Sequence, residues 1–410
     1  MTDARQLTPE AENAVAFRNA VLYAAMQAMS GAAAPINIAL GGLAGSYLLA
    51  EDKSLATAPI TGFNVGVAIA ALPAAALMRR VGRRNGFMVG AMIGIAGLLM
   101  SAAALVLHSF VLLCFGLMVS GAANGFGQQY RFAAADRGTP DFRVKAISYV
   151  LVGGVFAAFI GPQVVLFARD LLAPVPFAGA FLAGTALFGL CIVFISFLEP
   201  STPATRAADA AANTGVARPL IEIISQPRFI VAVVCGVGAY AVMSYVMTAA
   251  PLAMIYCGYT VDQSTLGIQW HVLAMFAPSF FTGKLIARFG KERIVALGMF
   301  ILVACAVVAL AGVTLANFWI ALVLLGVGWN FGFIGATAMV TDTYRPEEKS
   351  KAQGANDFIL FGTVALASLM SGQTLNAFGW NAINLVVFPV AAICLMALAA
   401  LLLRERYPRS

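Results

Sequence analysis

Two pairs of soft donor side chains carry the clearest chemistry in this sequence. Met243 and Met247 are spaced i, i+4, and so are His271 and Met275. Residues at this spacing lie on one face of an α-helix, so each pair is predicted to present both side chains together. Three thioethers and one imidazole form an uncharged ligand set that suits Cu(I) and costs little to bury in a membrane. The pattern therefore predicts a copper site made of these four residues.

The elements that must position these pairs are apolar helices. The chain has 410 residues, of which 61% are hydrophobic and 10% are charged, and this balance excludes an ordinary soluble domain. Apolar stretches recur, each long enough to cross the ~30 Å hydrocarbon core of a bilayer. We predict an all-α integral membrane protein. Its twelve expected transmembrane helices lie at 15–44, 57–78, 86–107, 110–134, 144–168, 176–197, 228–256, 264–287, 293–313, 317–341, 351–375 and 382–403.

The basic residues predict an orientation. With both termini in the cytoplasm, all lysines and arginines except Lys53 and Arg169 fall on the cytoplasmic side or at cytoplasmic span ends. The net charge of +7 then reflects these loops, and we expect the lipid bilayer rather than a nucleic acid as partner. The first residues lack the basic region of a cleaved signal peptide, so the first span is expected to remain as an anchor. The expected location is a bacterial cytoplasmic (inner) membrane.

The chain also repeats itself. Gly82 and Gly290 lie in similar basic loops, RRVGRR and RFGKER, after the second and eighth spans. Three further residue pairs share one sequence offset: Asp136 and Asp342, Pro140 and Pro346, Lys145 and Lys351. The repeat predicts two six-helix halves related by pseudo-two-fold symmetry. We place the halves at 1–198 and 228–410, joined by a cytoplasmic linker at 199–227 that ends in a short helix at 220–225.

Two six-span halves with a G-x-x-x-D-R-x-G-R-R-like loop resemble the major facilitator superfamily (MFS) over essentially the whole chain. The usual acid of that loop is replaced by Arg79 in the first half and by Ala287 in the second. The resemblance implies that these loops brace an inward gate by pairing with acids at nearby span ends. The implied gating residues are Arg80, Gly82, Arg83, Arg84, Asp136, Arg288, Gly290 and Asp342.

The M-x-x-x-M and H-x-x-x-M pairs resemble one branch of this superfamily, the CcoA-like copper importers that supply assembly of cbb-type cytochrome c oxidase. This resemblance implies copper as the transported substrate, no permanent cofactor, and a cytoplasmic copper chaperone or exporter as partner. It also implies functional thiols at Cys235 and Cys257, which we assign to a copper relay. Met26 and Met29 are candidates to add thioethers from the opposite cavity wall. All four of these side chains also fit a plain packing role.

Two charged residues lie inside or near the ends of spans. Asp357 is the carboxylate placed well inside a span, where it either carries a coupling proton or pairs with Lys351 or Arg345. Arg131, near the inner end of the fourth span, is expected to extend to the interface or to pair with Asp136 rather than bind substrate.

The leading functional hypothesis is copper import by alternating access. The main alternative is an importer of a small aromatic molecule such as riboflavin, and a further alternative is a copper sensor or oxidase-assembly factor that transports nothing. The sequence shows no recognisable nucleophile–base pair or phosphate-binding loop, so we expect no enzymatic activity. Residues that would line an aromatic pocket are Trp270, Tyr240, Tyr245, Phe276 and Trp329.

Overall fold

The computed structural model describes residues 9–136, 139–199 and 218–406. The regular elements within these ranges are all helical, as predicted. In chain order the helices are α1 (Pro9–Gly31), α2 (Ala33–Leu48), α3 (Ala58–Val81), α4 (Arg83–Val106), α5 (Phe110–Gly127), α6 (Tyr130–Ala134), α7 (Pro140–Ala168), α8 (Ala178–Ser196), α9 (Leu220–Ile224), α10 (Pro227–Tyr256), α11 (Val261–Phe276), α12 (Ser279–Phe289), α13 (Lys291–Leu310), α14 (Leu315–Val340), α15 (Lys349–Leu385) and α16 (Val387–Arg406), with a 3₁₀ turn at Pro346–Glu348.

Helix length and apolarity identify the membrane crossings. Within the described residues, nine segments are long and apolar enough to cross a bilayer, and two bent helix pairs raise the number to eleven. One of the nine, Lys351–Glu405, contains 55 residues. At ~1.5 Å per residue it is long enough to cross the ~30 Å hydrocarbon core twice. It divides at Gly379, whose φ of 76° interrupts α15. The prediction of twelve spans is confirmed.

The two halves use the same corner between their second and third spans. Gly82 ends α3 with φ 86° and Gly290 ends α12 with φ 90°, and each residue directly precedes the next helix. This left-handed conformation favours glycine because any Cβ would be strained there. The shared backbone geometry supports the sequence repeat on which the two-half architecture was predicted.

We name the two ends of the helical bundle by their loops. The basic face carries the loops 79–84 and 288–293, and the opposite face carries the loops that follow α2 and α10. Within the described residues, two hydrogen bonds and one ion pair join the halves near the opposite face. These contacts are Thr57 Oγ1 to the Ser368 carbonyl oxygen at 3.1 Å, Gln163 Nε2 to Gln269 Oε1 at 2.8 Å, and Arg169 with Asp262. The conformation therefore closes the opposite face.

The residues implied to brace a gate form contacts within each half at the basic face. Arg83 binds Asp136 at 3.1 Å, and Arg84 donates to the Ser196 carbonyl oxygen at 2.9 Å. In the second half, the Arg288 guanidinium lies 5.2 Å from the centroid of the neighbouring Phe289 ring. Asp342 pairs with Lys291 and Arg228. The acids thus lie where the resemblance implied, and the gating role stays a prediction.

The end of the linker is attached to the second half by Arg218. Its Nε and Nη2 atoms donate to the buried Glu348 carboxylate at 2.6 and 2.7 Å. These bonds lower the pKa of Glu348 from 4.5 to about 2. The short helix predicted at the end of the linker is present as α9. Residues 200–217 of the predicted linker, 137–138, and the predicted cytoplasmic termini at 1–8 and 407–410 lie outside the described residues.

Glu348→Gln is expected to loosen this attachment and to speed hydrogen–deuterium exchange in α9 about tenfold, because it replaces charge-assisted hydrogen bonds with weaker neutral ones. Because the pKa of Glu348 is lowered on folding, the stabilisation is complete above pH 4.5 and is lost as the pH falls towards 2. The effect should therefore be constant between pH 5 and 8. The neighbouring exposed Glu347→Gln is the control, and equal exchange in both variants would contradict the assignment.

Candidate substrate site

The four residues predicted to bind copper lie buried on two helices of the second half. Met243 and Met247 are on α10, and His271 and Met275 are on α11. The His271 Nδ1 atom lies 2.8 Å from the carbonyl oxygen of Leu322 in α14. This hydrogen bond, together with close packing, ties α11 to α14. The imidazole therefore has a structural partner that the sequence pattern did not indicate.

The four residues proposed as a copper relay lie mainly in packed or distant positions. Cys235 is buried, and its thiol donates to the carbonyl oxygen of Cys394 in α16 at 3.7 Å. Cys257 is exposed at the far end of α10, about 33 Å along the helix from Cys235. Met26 is fully buried in the core of the first half, and Met29 packs against that core. A thioether in such a position fills space.

An aromatic cluster brings three of the five predicted pocket residues together. Tyr240 of α10 has its ring centroid 5.3 Å from that of Trp329 and 5.1 Å from that of Phe333, both on α14. Trp329 stacks on Phe333 with 16° between the ring planes, and Phe276 of α11 lies 6.5 Å from Trp329. Phe361 of α15 adds a fourth helix, 6.0 Å from Tyr240. We call these five residues the aromatic cluster.

The other two predicted pocket residues lie elsewhere. Trp270 has 48% of its surface exposed, and Tyr245 is buried with its carbonyl oxygen bound by Ser371. Sequence reasoning missed Phe333 and Phe361. Phe333 follows Trp329 at i+4, a spacing that places both rings on one face of a helix. Phe361 had no comparable sequence signal.

The indole of Trp329 has one polar atom without a protein partner. Trp329 is buried, and its Nε1–H makes no hydrogen bond within the described part of the chain. A buried donor without an acceptor costs free energy, so such a group calls for an explanation. A bound molecule that offers an acceptor to this N–H is one such explanation.

A positive and a negative side chain lie in membrane-spanning segments of different halves. Arg131 lies on α6 in the first half, where it is exposed, and Asp357 lies on α15 in the second half. The Arg131 guanidinium lies 4.8 Å from the centroid of the Phe132 ring, and Asp357 accepts a hydrogen bond from Asn356 at 3.0 Å. Each half thus contributes one charged group.

The expected partners of these two charges differ from those found. Asp136, expected beside Arg131, binds Arg83. Asp357, expected beside Lys351 or Arg345 if not proton-carrying, accepts a hydrogen bond from the adjacent Asn356. Sequence spacing compares residues along one segment, whereas the contact between Arg83 and Asp136 arises from packing between different segments. A coupling role for Asp357 stays a prediction.

Two relatives resemble the chain over most of its length. The riboflavin transporter RfnT of Brucella anthropi is 50% identical over 383 residues, which cover 93% of this chain and 95% of that protein. An uncharacterised MFS-type transporter of Bacillus subtilis, YddS, is 31% identical over 89% of this chain and 86% of its own. Both relatives are named as transporters.

The copper hypothesis is wrong. A nearly full-length relative at 50% identity is a riboflavin transporter, which contradicts copper import, copper as the partner and a role in oxidase assembly. The resemblance to the CcoA-like branch rested on four residues, and Met and His at helical spacing also serve packing and interhelical hydrogen bonding. Here the hydrogen bond from His271 to Leu322 is of that structural kind.

The sequence profile and solved structures agree on the family. The profile of the Major Facilitator Superfamily matches residues 17–311 and 247–410 in two overlapping segments. A point mutant of the nucleoside transporter NupG shares the fold with a TM-score of 0.67 at 13% identity, over 94% of this chain and 99% of its own. The human organic anion transporter MFSD10 has a TM-score of 0.61 at 16% identity, over 96% and 100%. This chain belongs to the Major Facilitator Superfamily.

Proposed function

We propose that this protein imports riboflavin across the bacterial cytoplasmic membrane by alternating access. The observation that carries the proposal is the aromatic cluster around Tyr240 and Trp329, which joins four helices of the second half. Riboflavin contains a planar three-ring heteroaromatic system. Such a ring binds well to aromatic side chains, because stacking a heteroaromatic base on one contributes about 1–3 kcal/mol.

The relative at 50% identity supports this substrate. RfnT of Brucella anthropi is named as a riboflavin transporter, and the match covers almost all of both chains. A small-molecule site of mainly aromatic side chains with a few polar groups is also typical of organic substrates. The cluster offers such a surface, with Trp329 Nε1 as a donor that no group in the described part of the chain accepts.

Charge and conformation are compatible with the proposed import. The positive-inside rule supports an orientation in which the basic face and both termini are in the cytoplasm. The described conformation is closed at the opposite face by contacts that include Arg169 with Asp262. In that orientation it is a state that releases substrate inward. Binding from outside requires these contacts to separate, as alternating access demands.

The test is riboflavin uptake in a riboflavin-auxotrophic bacterium without a transporter of its own. Expression of this chain is expected to restore growth at low external riboflavin and to produce saturable uptake of radiolabelled riboflavin. Purified protein in liposomes should accumulate riboflavin in the lumen. A chain that reaches the membrane and binds riboflavin without uptake would be a sensor, and this outcome or an absence of binding would overturn the proposal.

A further inference from the structure

A small polar cavity lies between α1 and α5 of the first half. Its polar lining consists of the side chains of Gln27, Ser30, Asn124 and Gln128. We propose that this cavity binds a hydroxyl group of the riboflavin side chain while the flavin ring lies on the aromatic cluster. That side chain is the ribityl group, a carbon chain that carries several hydroxyl groups. This inference deepens the riboflavin proposal and rests on it.

The size of the polar cavity limits which part of the substrate it can hold. Its volume is about 20 Å³. One water molecule needs about 10–15 Å³ of such a cavity, so this one takes a single water-sized group. A hydroxyl group fits that space, whereas a flavin ring does not. The cavity therefore suits the side chain of riboflavin rather than its ring.

The amides of the polar cavity are able to bind a hydroxyl group. A hydroxyl both donates and accepts hydrogen bonds, and the side-chain amides of Gln and Asn do the same. Among the described residues, none donates to or accepts from the Gln27 amide. Asn124 Oδ1 accepts one long hydrogen bond, from Gln128 Nε2 at 3.4 Å. A Cβ added to Gly31 would lie 2.7 Å from Gln27 Nε2, so this glycine leaves the space that the amide occupies.

Helix α7 shows how close the polar cavity is to the aromatic cluster. A Cβ added to Gly153 would lie 3.0 Å from the Gln27 Cβ atom, and a Cβ added to Gly154 would lie 3.5 Å from the Phe276 Cδ1 atom. Consecutive Cα atoms are only about 3.8 Å apart. Gln27 of the first half and Phe276 of the second half therefore pack against the same point of α7. The cavity and the cluster lie at the same depth of the bundle.

The repeat relates the helices that line these two regions. Gly90 of α4 lies against Phe126 of α5, and Gly298 of α13 lies against Gly332 of α14 in the same way. Phe126 and Gly332 are 206 residues apart, the offset shared by the three residue pairs of the sequence repeat. The structure thus supports the alignment of α5 with α14 at this offset.

The two aligned helices differ in chemistry where they matter for binding. Trp329 and Phe333 of α14 correspond to Ala123 and Gly127 of α5, and both small residues line the polar cavity. Pseudo-two-fold symmetry places equivalent faces opposite each other across the interface between the halves. One wall therefore presents rings, and the other presents amides in the space that small residues leave. A ligand with a flat ring at one end and hydroxyl groups at the other complements both walls.

The test compares riboflavin with lumiflavin, which has a methyl group in place of the ribityl chain. Both compounds compete against radiolabelled riboflavin for binding to the purified full-length protein. We expect wild type to bind lumiflavin at least about tenfold more weakly, because the cavity amides then have no hydroxyl partner. Gln27→Met keeps a side chain of similar length without its polar atoms. It should weaken riboflavin about two- to tenfold, as expected for one hydrogen bond, and leave lumiflavin unchanged. Asn124→Ala should act in the same way.

A further variant and a matched control keep the outcomes separable. Gly31→Ala retains every polar group but displaces the Gln27 amide, so it should also weaken riboflavin selectively. Asn85→Ala removes an exposed amide that binds the nearby Val81 carbonyl oxygen, and it should preserve the wild-type preference. Equal binding of both compounds by wild type, or the wild-type preference retained in the folded Gln27→Met and Asn124→Ala variants, would overturn the inference and leave riboflavin import standing. Failure of wild type to bind riboflavin would instead overturn the proposed function.

Discussion

Trp329→Ala is expected to lower riboflavin uptake by about 5- to 150-fold, the equivalent of the 1–3 kcal/mol that stacking on one aromatic side chain contributes. Trp329 has three ring contacts in the aromatic cluster, since it stacks on Phe333 and meets Tyr240 and Phe276 edge to face. Its loss removes the largest ring surface and the Nε1 donor together. Initial uptake rates at several riboflavin concentrations measure the effect, with the amount of folded protein in the membrane as normalisation.

A second substitution separates stacking from hydrogen bonding. Trp329→Phe keeps an aromatic face and loses the donor, so its uptake should fall only about two- to tenfold, as expected for one hydrogen bond. Trp380 provides the matched control, because it is also buried, its Nε1 has no partner among the described residues, and it packs against Phe318, away from the cluster. Trp380→Phe should leave uptake unchanged. If both phenylalanine variants behave alike, the special role of Trp329 is contradicted.

The fold was predictable because hydropathy and the internal repeat are patterns that extend over long stretches of the sequence. A bilayer imposes about 20 apolar residues per helical crossing, so each span is recognisable whatever its neighbours are. The break at Gly379 falls in the predicted gap between the spans at 351–375 and 382–403. Interruptions within spans were not predicted: the first divides between α1 and α2, and the eighth bends by 41° between α11 and α12. Pro278 at the second break was an available signal, since proline cannot donate a helical hydrogen bond.

The functional site was harder to predict, because the contacts of its side chains are determined by packing between distant segments. Spacing correctly placed each of the two residue pairs on one helix, Met243 with Met247 and His271 with Met275. It could not show which neighbouring helix each side chain contacts. The partner of His271 is the carbonyl oxygen of Leu322, a backbone atom that no pattern of side chains reveals. Chemistry inferred from residue types alone therefore favoured a metal.

The prediction of an aromatic pocket also depended on knowing how distant helices pack together. Tyr240, Phe276 and Trp329 meet because α10, α11 and α14 pack together in the second half. Each ring alone was equally compatible with a core position, so only their association makes them a candidate binding surface.

Reversing one charge at the closed opposite face is expected to reduce uptake strongly. Asp262→Arg places a second cation against Arg169, whose side chain is 19% exposed in the present contact. Like charges in such a contact repel, and since Asp262 is 51% exposed, solvent screening limits the cost to about 1–2 kcal/mol. That energy shifts the balance between closed and open states of this face about 5- to 30-fold, because 1.4 kcal/mol corresponds to a factor of ten. Uptake should fall by a similar factor if closure of this face is needed for inward release.

The exchanged pair tests whether the interaction, rather than either residue, matters. Arg169→Asp combined with Asp262→Arg restores opposite charges across the halves and should return uptake to within about threefold of wild type. The recovery is incomplete because Asp262 lies in the first turn of α11 and Arg169 follows α7, where the helix dipoles favour the native charges.

Screening predicts that the uptake defect of the single Asp262→Arg variant shrinks as salt is raised from about 0.01 to 0.15 M. Glu51→Arg adds a cation at the same face without opposing Arg169 and should have little effect. A double variant no better than the single reversal would show that closure does not depend on this ion pair.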